Sequence, residues 1–223
     1  MLVVSPITDR VKAAYRMVSK AGSKRDSFLA IDIGCGLGEA TRYFNARDIK
    51  TIGLEASKDS IEEAILRDGQ SNSYLRGDAL NIPFKSGRFE VVLLLDVIEH
   101  LPPGSEEAAL TEIRRILKGN GILVLSTPNK GLLRFTDPQN LAHYLPGFVK
   151  EIASFFWSRK KVDDYWQSPY HRKYSKKELE ELFTKNGFEV IDCQYRKTGL
   201  PNIPSILFDN DNRETKKVKT PEG

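Results

Sequence analysis

A glycine-rich turn is the strongest chemical signal in the sequence. The run Ile31-Asp32-Ile33-Gly34-Cys35-Gly36-Leu37-Gly38 is typical of a strand that passes through a turn into a helix. Glycines at every second position let the backbone approach a ligand where a Cβ would collide, and the helix N-terminus presents unpaired N–H groups. The third glycine, Gly38, comes one residue too early for the dinucleotide fingerprint G-x-G-x-x-G, and Glu39 stands where that fingerprint has its last glycine. The negative charge of Glu39 would also repel a pyrophosphate. The turn therefore predicts a nucleotide-like ligand that carries no phosphate.

Acidic residues end the three predicted strands that follow. Glu55 ends the second strand, where its carboxylate can accept hydrogen bonds from both ribose hydroxyls. Asp78 ends the third, placed to accept a hydrogen bond from an adenine amino group, and Asp96 ends the fourth. Each acid alone could equally be a helix cap or a turn residue. Because open α/β sheets bind ligands at the carboxyl ends of their strands, the series together with the glycine turn predicts one binding site.

The turn and the acids resemble the class I S-adenosylmethionine-dependent methyltransferases, and the resemblance covers roughly residues 28–195. Asp32-x-Gly34-x-Gly36-x-Gly38 matches that family's first motif, Glu55 its ribose acid and Asp78 its adenine-side acid. The resemblance implies S-adenosyl-L-methionine as the cofactor. The cofactor-binding residues that it implies are Asp32, Gly34, Cys35, Gly36, Gly38, Glu55, Ala56, Asp78, Ala79, Leu95 and Asp96.

Three further segments relate the chain to one subgroup of that family. Residues 95–100, LDVIEH, look like its fourth motif, and residues 117–121, LKGNG, resemble its usual L-K-P-G-G turn without the proline. The fifth strand ends in Thr127-Pro128-Asn129. This pattern is similar to the ubiquinone-pathway O-methyltransferases, which implies methyl transfer to a small or lipid-like acceptor, with oxygen as the accepting atom.

The implied reaction displaces a methyl group from a sulfonium, and it depends mainly on positioning. Carboxylates near the cofactor, such as that of Asp32, suit its positively charged groups. A hydroxyl acceptor would also need a general base, for which histidine is best matched to neutral pH. His100 directly follows the fourth strand and is the first candidate, with stabilisation of a turn as the alternative. His143 and His171 are further candidates, for which a surface or packing role is the alternative.

The two cysteines are not expected to be catalytic or to bind a metal. Cys35 has no basic neighbour in the sequence that would lower its pKa, so we expect contact with the cofactor rather than catalysis. Cys35 and Cys193 also lack the spacing of metal ligands or of a disulfide framework. Their small number is typical of a reducing compartment.

The alternation of apolar runs with helical patterns predicts the elements that position these residues. It is typical of an α/β fold, a doubly wound and mostly parallel sheet with helices on both faces. The resemblance implies a Rossmann-like methyltransferase sheet of seven strands whose last strand is antiparallel. We expect an N-terminal helical segment at 1–27, a methyltransferase domain at 28–208 and a disordered tail at 209–223.

Local signals predict where individual elements begin and end. The N-terminal segment should form a helix over residues 8–20, because Val11, Ala14, Tyr15 and Val18 recur at helical spacing. Ser105 is a predicted N-cap for a helix that stops at the 118–121 turn, and the third strand should cover residues 74–79. Ser175 and Glu178 form a predicted capping box.

Residues 129–174 lack the strand and helix rhythm and are rich in aromatic residues. A segment of this length inside a compact domain is usually functional, so we expect an inserted cover on the acceptor side with an apolar acceptor site beneath it. Within it, residues 146–161 are amphipathic and basic at one end. They are either a cover helix or an interfacial helix that contacts anionic lipid.

Composition limits the remaining function classes. The 223 residues are 40% hydrophobic and 29% charged, which is typical of a globular protein, and the apolar runs are too short to cross a bilayer. No export signal is evident, so we expect a cytoplasmic protein, with peripheral contact at the inner face of the membrane as a further option. Seven basic and two acidic residues occur between Ser158 and Lys177, whereas the whole chain carries only +4. Nucleic-acid methylation is therefore the least favoured function, and a cofactor-binding but catalytically silent assembly module is the other alternative.

Overall fold

The computed structural model describes residues 8–22, 28–69, 73–128, 172–195 and 204–209. Its strands are β1 Leu29–Ile33, β2 Lys50–Glu55, β3 Tyr74–Arg76, β4 Phe89–Leu95, β5 Leu117–Ser126, β6 Glu189–Tyr195 and β7 Pro204–Asp209. Its helices are α1 Asp9–Gly22, α2 Glu39–Asn45, α3 Lys58–Asp68, α4 Glu106–Ile116 and α5 Lys176–Lys185, with a 3₁₀ turn at Ile98–His100. Among these helices, none combines the length and the apolar character that crossing a membrane requires.

The described strands form one sheet in the order β3-β2-β1-β4-β5-β7-β6. The five strands from β3 to β5 are parallel, and β7 is antiparallel to both β5 and β6. The predicted α/β, mostly parallel Rossmann-like fold is confirmed. The chain moves outward from β1 to β3 and then crosses to β4, so the strand order reverses between β1 and β4. A ligand crevice is expected at this switch point, beyond the carboxyl ends of the strands.

Strand β4 is apolar along its whole length because both of its faces are buried. Val91 and Leu93 belong to a core cluster shared with α1 and α2, whereas Val92 and Leu94 belong to a second cluster with α4 and α5. A strand that is covered by helices on both faces needs no polar side, which explains the run FEVVLLL. The central strands are therefore held rigidly, with their carboxyl ends at the crevice.

The N-terminal helix is part of this core. Val11, Ala14, Met17 and Val18 are all nearly inaccessible and pack with the strand residues of the first cluster. The predicted helix is confirmed, with its bounds at Asp9 and Gly22. Its first turn consequently lies near the carboxyl ends of the strands.

Two predicted element boundaries differ from those in the structure. Strand β3 ends at Arg76 rather than Ala79, and Asp78 instead forms an isolated bridge with Asn81. Helix α4 ends at Ile116 rather than at the glycine turn. The buried Leu117 is already extended and pairs with Phe89, so the chain leaves the helix before it reaches the glycine turn.

The two predicted serine caps have different outcomes. Ser175 accepts a hydrogen bond from the Glu178 N–H (3.2 Å), and the Glu178 carboxylate accepts one from the Ser175 N–H (2.7 Å), which confirms the capping box. Ser105 occupies the N-cap position of α4, but its side chain makes no capping bond. Its hydroxyl donates to the Pro102 carbonyl instead (2.7 Å).

Candidate active site

A crevice of about 750 Å³ lies at the switch point of the sheet. The glycine turn, the end of β2, the first turns of α3, the segment after β3 and the segment after β4 all contribute to its walls. Among the described lining residues, those with carboxylates are Glu55, Asp59, Glu63, Asp78 and Asp96, and those with basic side chains are Arg67 and His100. Arg67 is paired with Glu63 (2.7 Å). The crevice therefore favours ligands that bring positive charge and hydroxyl donors, and disfavours a diphosphate.

The three glycines of the turn all have left-handed backbone conformations, with φ of +68° at Gly34, +54° at Gly36 and +75° at Gly38. A Cβ on Gly34 would come within 2.5 Å of Val97 Cγ2, and one on Gly38 would overlap the Tyr74 ring. Only Gly34 of the three lines the crevice. Protein side chains fill the space beside Gly34 and Gly38, and the close approach of a ligand to the turn stays a prediction.

Glu55 connects the glycine turn to the start of α3. One carboxylate oxygen accepts a hydrogen bond from the Gly36 N–H (3.1 Å) and the other from the Ser57 N–H (2.9 Å). A carboxylate has about four acceptor positions, more than these two bonds use. Its position in the crevice is compatible with the predicted ribose contact.

The segment after β3 lines the crevice through Gly77, Asp78 and Ala79, and Ala56 lines it after β2. Asp78 is exposed, and its Oδ1 accepts a hydrogen bond from the Leu80 N–H (2.9 Å). This bond closes a local turn and leaves the other carboxylate oxygen for a donor such as an amino group. The sequence correctly brings these residues to the crevice, although they follow the strand instead of belonging to it.

Asp96 is held by three contacts in a conformation that is uncommon for a residue with a side chain. Its φ is +57°, its N–H donates to the Ser126 carbonyl (2.9 Å), and its Oδ1 accepts from the Ser126 hydroxyl (2.7 Å). Its Oδ2 accepts a hydrogen bond from Arg10 at the start of α1. Sequence reasoning missed Arg10, and the available signal was an arginine in the first turn of α1, directly before its apolar stripe.

Asp32 is not among the residues that line the crevice, and its predicted place near the cofactor's positive groups stays a prediction. It is buried, and its Oδ2 accepts hydrogen bonds from the Thr41 N–H (3.1 Å) and the Thr41 hydroxyl (2.8 Å). It therefore holds the first turn of α2 behind the glycine turn. Burial raises the pKa of Asp32 to about 6, against the opposing effects of the Thr41 hydrogen bonds and of the Arg10 charge.

Cys35 and Leu95 are also buried and are not among the residues that line the crevice, and their contacts with the cofactor stay a prediction. The sulfur of Cys35 packs so close to Gly53 that a Cβ there would lie 2.7 Å from it. Burial raises the pKa of the Cys35 thiol above its usual range. Because the thiolate is the nucleophilic form, a raised pKa makes this thiol a poor nucleophile.

His100 lines the crevice immediately after β4, whereas His143 and His171 lie outside the described residues. Its neighbour Glu99 is buried and accepts a hydrogen bond from the Thr127 hydroxyl (3.0 Å). Burial raises the pKa of Glu99 to about 8, and the negative charge of Asp96 adds to this effect. The burial of Glu99 was not predicted from the sequence, although an acidic residue inside an apolar segment was a signal for it.

The chain returns to the site from residues 129–171 at Arg172. The Arg172 N–H donates to the Glu99 carbonyl (3.2 Å), and its guanidinium donates to the Leu101 carbonyl (2.8 Å) and pairs with Glu106. These contacts fasten the turn that carries His100 on the crevice side. The predicted cover at 129–174 otherwise lies outside the described residues, as do its possible membrane segment 146–161 and the tail beyond Asp209.

Comparison with known proteins agrees with this geometry. A family model described as a methyltransferase domain matches residues 31–125. An uncharacterized protein of Methanocaldococcus jannaschii is 35% identical over 203 residues, covering 79% of this chain and 82% of that protein. The demethylmenaquinone methyltransferase of Lactococcus lactis is 28% identical over 205 residues (85% and 76% covered). The ubiquinone biosynthesis O-methyltransferase of Cereibacter sphaeroides is 26% identical over 189 residues (83% and 70%).

A solved structure has the same fold. The 1,6-didemethyltoxoflavin-N1-methyltransferase of Burkholderia thailandensis superposes with a TM-score of 0.64 at 15% identity, covering 90% of this chain and 77% of that one. It was crystallised with its substrate and S-adenosylhomocysteine. At this level of identity the likeness concerns the fold alone.

Proposed function

The chain belongs to the class I S-adenosylmethionine-dependent methyltransferases, and from this premise we propose that it methylates an oxygen atom of a small or lipid-like acceptor. Bound S-adenosylmethionine supplies a methyl group on a positively charged sulfonium and is left as a neutral thioether. The acidic crevice at the switch point carries the proposal, because it suits a ligand with positive groups and ribose hydroxyls.

The residues of the crevice divide the binding of this cofactor between them. Glu55 accepts hydrogen bonds from the ribose hydroxyls, and Asp78 accepts one from the adenine amino group. Gly34 and the other glycines form the turn beside the crevice, and Asp96 contributes negative charge on the β4 side. Asp32, Cys35 and Leu95, which were also predicted from the sequence, are buried beside the crevice and support the segments that line it.

Oxygen as the accepting atom is supported by the relatives whose names specify O-methylation in ubiquinone biosynthesis. We propose His100 as the base that takes the proton from the acceptor hydroxyl, since it lines the crevice directly after β4. The acceptor oxygen then forms a bond to the methyl carbon while the sulfur keeps the electron pair of the broken bond. Holding the reacting atoms about 3 Å apart and in line can lower the barrier by about 7–11 kcal/mol.

The finer architecture belongs to the same proposal. The seven-stranded arrangement of the family would place residues 129–174 over the acceptor side of the sheet as a cover. Residues 146–161 would pack on the acceptor, or contact anionic lipid with their basic end. Sedimentation with anionic vesicles at low salt distinguishes these two roles, because only a lipid-facing helix would carry the protein into the pellet.

Cofactor binding is tested by calorimetry with S-adenosylmethionine. We expect Glu55→Ala to weaken binding by about 1–3 kcal/mol, the usual loss when a buried donor or charge loses its partner. Glu62→Ala is the matched control, because Glu62 is an exposed acid on α3 outside the crevice. Equal affinities in wild type and Glu55→Ala would remove Glu55 from the ribose site.

Catalysis is tested by transfer of labelled methyl from the cofactor into fractionated cell extract. We expect the labelled methyl in a small-molecule or lipid fraction, bonded to an oxygen atom of the product as a methyl ether. In the same assay His100→Ala should bind the cofactor normally and lose transfer. Wild-type protein that binds the cofactor and labels no fraction would favour the catalytically silent module.

A further inference from the structure

Arg10 connects the N-terminal helix to the acidic end of the crevice. Its guanidinium donates to Asp96 Oδ2 and lies 3.8 Å from Glu39 Oε2 at the start of α2. The backbone N–H of Thr8 donates to the other Glu39 oxygen, so the start of α1 is attached to two segments that flank the glycine turn. The positive charge of Arg10 also acts on the buried Asp32. The single positive charge of Arg10 therefore acts on three carboxylates, those of Asp96, Glu39 and Asp32.

This arginine lies outside the segment that carries the family's motifs. The methyltransferase domain model matches residues 31–125, whereas Arg10 comes from α1. Its side chain is about one-third exposed, and that of its partner Asp96 is 20% exposed. Because Asp96 lines the crevice, the charge of Arg10 is felt by whatever binds there.

The two ligands that such a crevice must bind in turn differ chiefly by one charge. S-adenosylmethionine carries a positive sulfonium, and the demethylated product S-adenosylhomocysteine carries a neutral thioether at the same position. Their adenosine, amino and carboxylate groups are identical. A group that changes the potential at the crevice without contacting the ligand therefore changes the ratio of the two affinities, and changes contacts with the common groups little.

We propose that Arg10 is a positioning residue that sets the relative affinity of the crevice for S-adenosylmethionine and its demethylated product. The inference rests on the cofactor assignment made above. The carboxylates at the crevice favour the charged donor over the neutral product, and Arg10 limits this preference. Because methyl transfer removes the positive charge from sulfur, a fixed cation nearby also disfavours the donor relative to the transition state. Arg10 thus prevents the acidic crevice from stabilising the donor too strongly.

The test measures the dissociation constants of both ligands by calorimetry on the full chain at low salt and about pH 7, where Asp32 is mostly ionised and Glu99 mostly protonated. We expect Arg10→Gln to raise the ratio of the product's constant to the donor's by about two- to fivefold, the effect of one partly exposed charge. Arg10→Lys keeps the charge and should restore the wild-type ratio. Arg16→Gln is the matched control, because Arg16 is an exposed arginine on the same helix and does not line the crevice.

A second variant should change the ratio of the two dissociation constants in the opposite direction. Asp96→Asn removes a negative charge from the crevice, and asparagine tolerates the left-handed backbone that Asp96 adopts. We expect this variant to lower the ratio, because the unbalanced charge of Arg10 then disfavours the sulfonium. A ratio that rises or stays constant in Asp96→Asn contradicts the proposal.

The remaining outcomes separate this inference from the proposed function. If Arg10 only held α1 in place, Arg10→Gln would lower the melting temperature and leave the ratio unchanged, which would overturn the inference. If Arg10 bound the carboxylate that both ligands share, both affinities would fall equally, with the same consequence. Wild-type protein that binds neither ligand would overturn the cofactor assignment and the inference together.

Discussion

Asp96 and Glu99 are three positions apart in the sequence but lie in opposite environments. Asp96 is partly exposed and is paired with Arg10 and Ser126, whereas the Glu99 side chain is buried and accepts a hydrogen bond from Thr127. Burial therefore raises the pKa of Glu99 to about 8. At neutral pH Glu99 is mostly protonated, so the negative charge on the β4 side of the crevice comes from Asp96.

The raised pKa makes stability depend on pH. The pKa of an unfolded glutamate is about 4.3, so between this value and about 8 the folded state binds one more proton than the unfolded state. The stabilisation is complete below the unfolded pKa and is lost as the pH rises through the folded pKa. We expect Glu99→Gln to gain roughly 3 kcal/mol over wild type between about pH 5.5 and pH 8.

Denaturant unfolding at these two pH values measures this difference. The buried Asp32 titrates in both proteins, and its effect cancels in the comparison. Glu62→Gln is the control, since Glu62 is exposed on α3 and should leave the pH dependence as in wild type. Parallel stability curves for wild type and Glu99→Gln would show that Glu99 is already ionised in the folded protein.

At the scale of the elements, the two serine N-caps show how far a local signal carries. The capping box of α5 needs only Ser175 and Glu178, three residues apart, and it forms as predicted. Ser105 is of an equally suitable type at the start of α4, but its hydroxyl bonds to the Pro102 carbonyl. Ser175 has the extended backbone that lets an N-cap side chain accept the N–H bond, whereas Ser105 is already in the right-handed helical conformation.

This difference predicts unequal costs for the same substitution. Ser175→Ala removes a capping bond and should lower the free energy of unfolding by about 1 kcal/mol. Ser105→Ala should cost less, because no bond to the N-terminus of α4 is lost. Urea unfolding of both variants makes the comparison. Equal losses would mean that the Ser175 bond adds nothing beyond the hydroxyl's other interactions.

At the scale of the whole molecule, the sheet is covered on both faces and α1 belongs to one of the two covers. Met17 and Val18 pack against strand residues such as Val91 and Val124, far from α1 in sequence. The N-terminal helix is consequently as much part of the fold as the helices inside the domain that the family model matches. This packing also holds Arg10 at the crevice.

The role of α1 in the core can be tested by truncating a buried side chain. Met17 is 1% exposed, so Met17→Ala should lower the free energy of unfolding by about 2–5 kcal/mol through lost burial and the resulting cavity. Leu66→Ala is the control, because Leu66 is 69% exposed and its loss should cost less than about 0.5 kcal/mol. A change below this level for Met17→Ala would mean that α1 is detached from the core in solution.

The sequence by itself predicted the α/β class, the glycine turn, the positions of Glu55 and His100 at the crevice, and the capping box of α5. These features depend on residue types within one strand, one turn or one motif, and neighbouring residues along the chain determine them. The carboxyl ends of parallel strands necessarily meet at one edge, which is why Glu55 and Asp78 could be assigned to a common crevice before the sheet was known.

Only the tertiary structure decided which side chains face the crevice and which lie behind it. In the sequence Asp32 just precedes the glycine turn, as an acid that faces a ligand would. In the structure its carboxylate instead accepts two hydrogen bonds from Thr41 on α2. The pairing of Arg10 with Asp96 joins residues 86 positions apart, and nothing in either neighbourhood specifies it. Such contacts arise because α1 buries its apolar stripe on the sheet, and the energy of that burial depends on the whole core rather than on any local pattern.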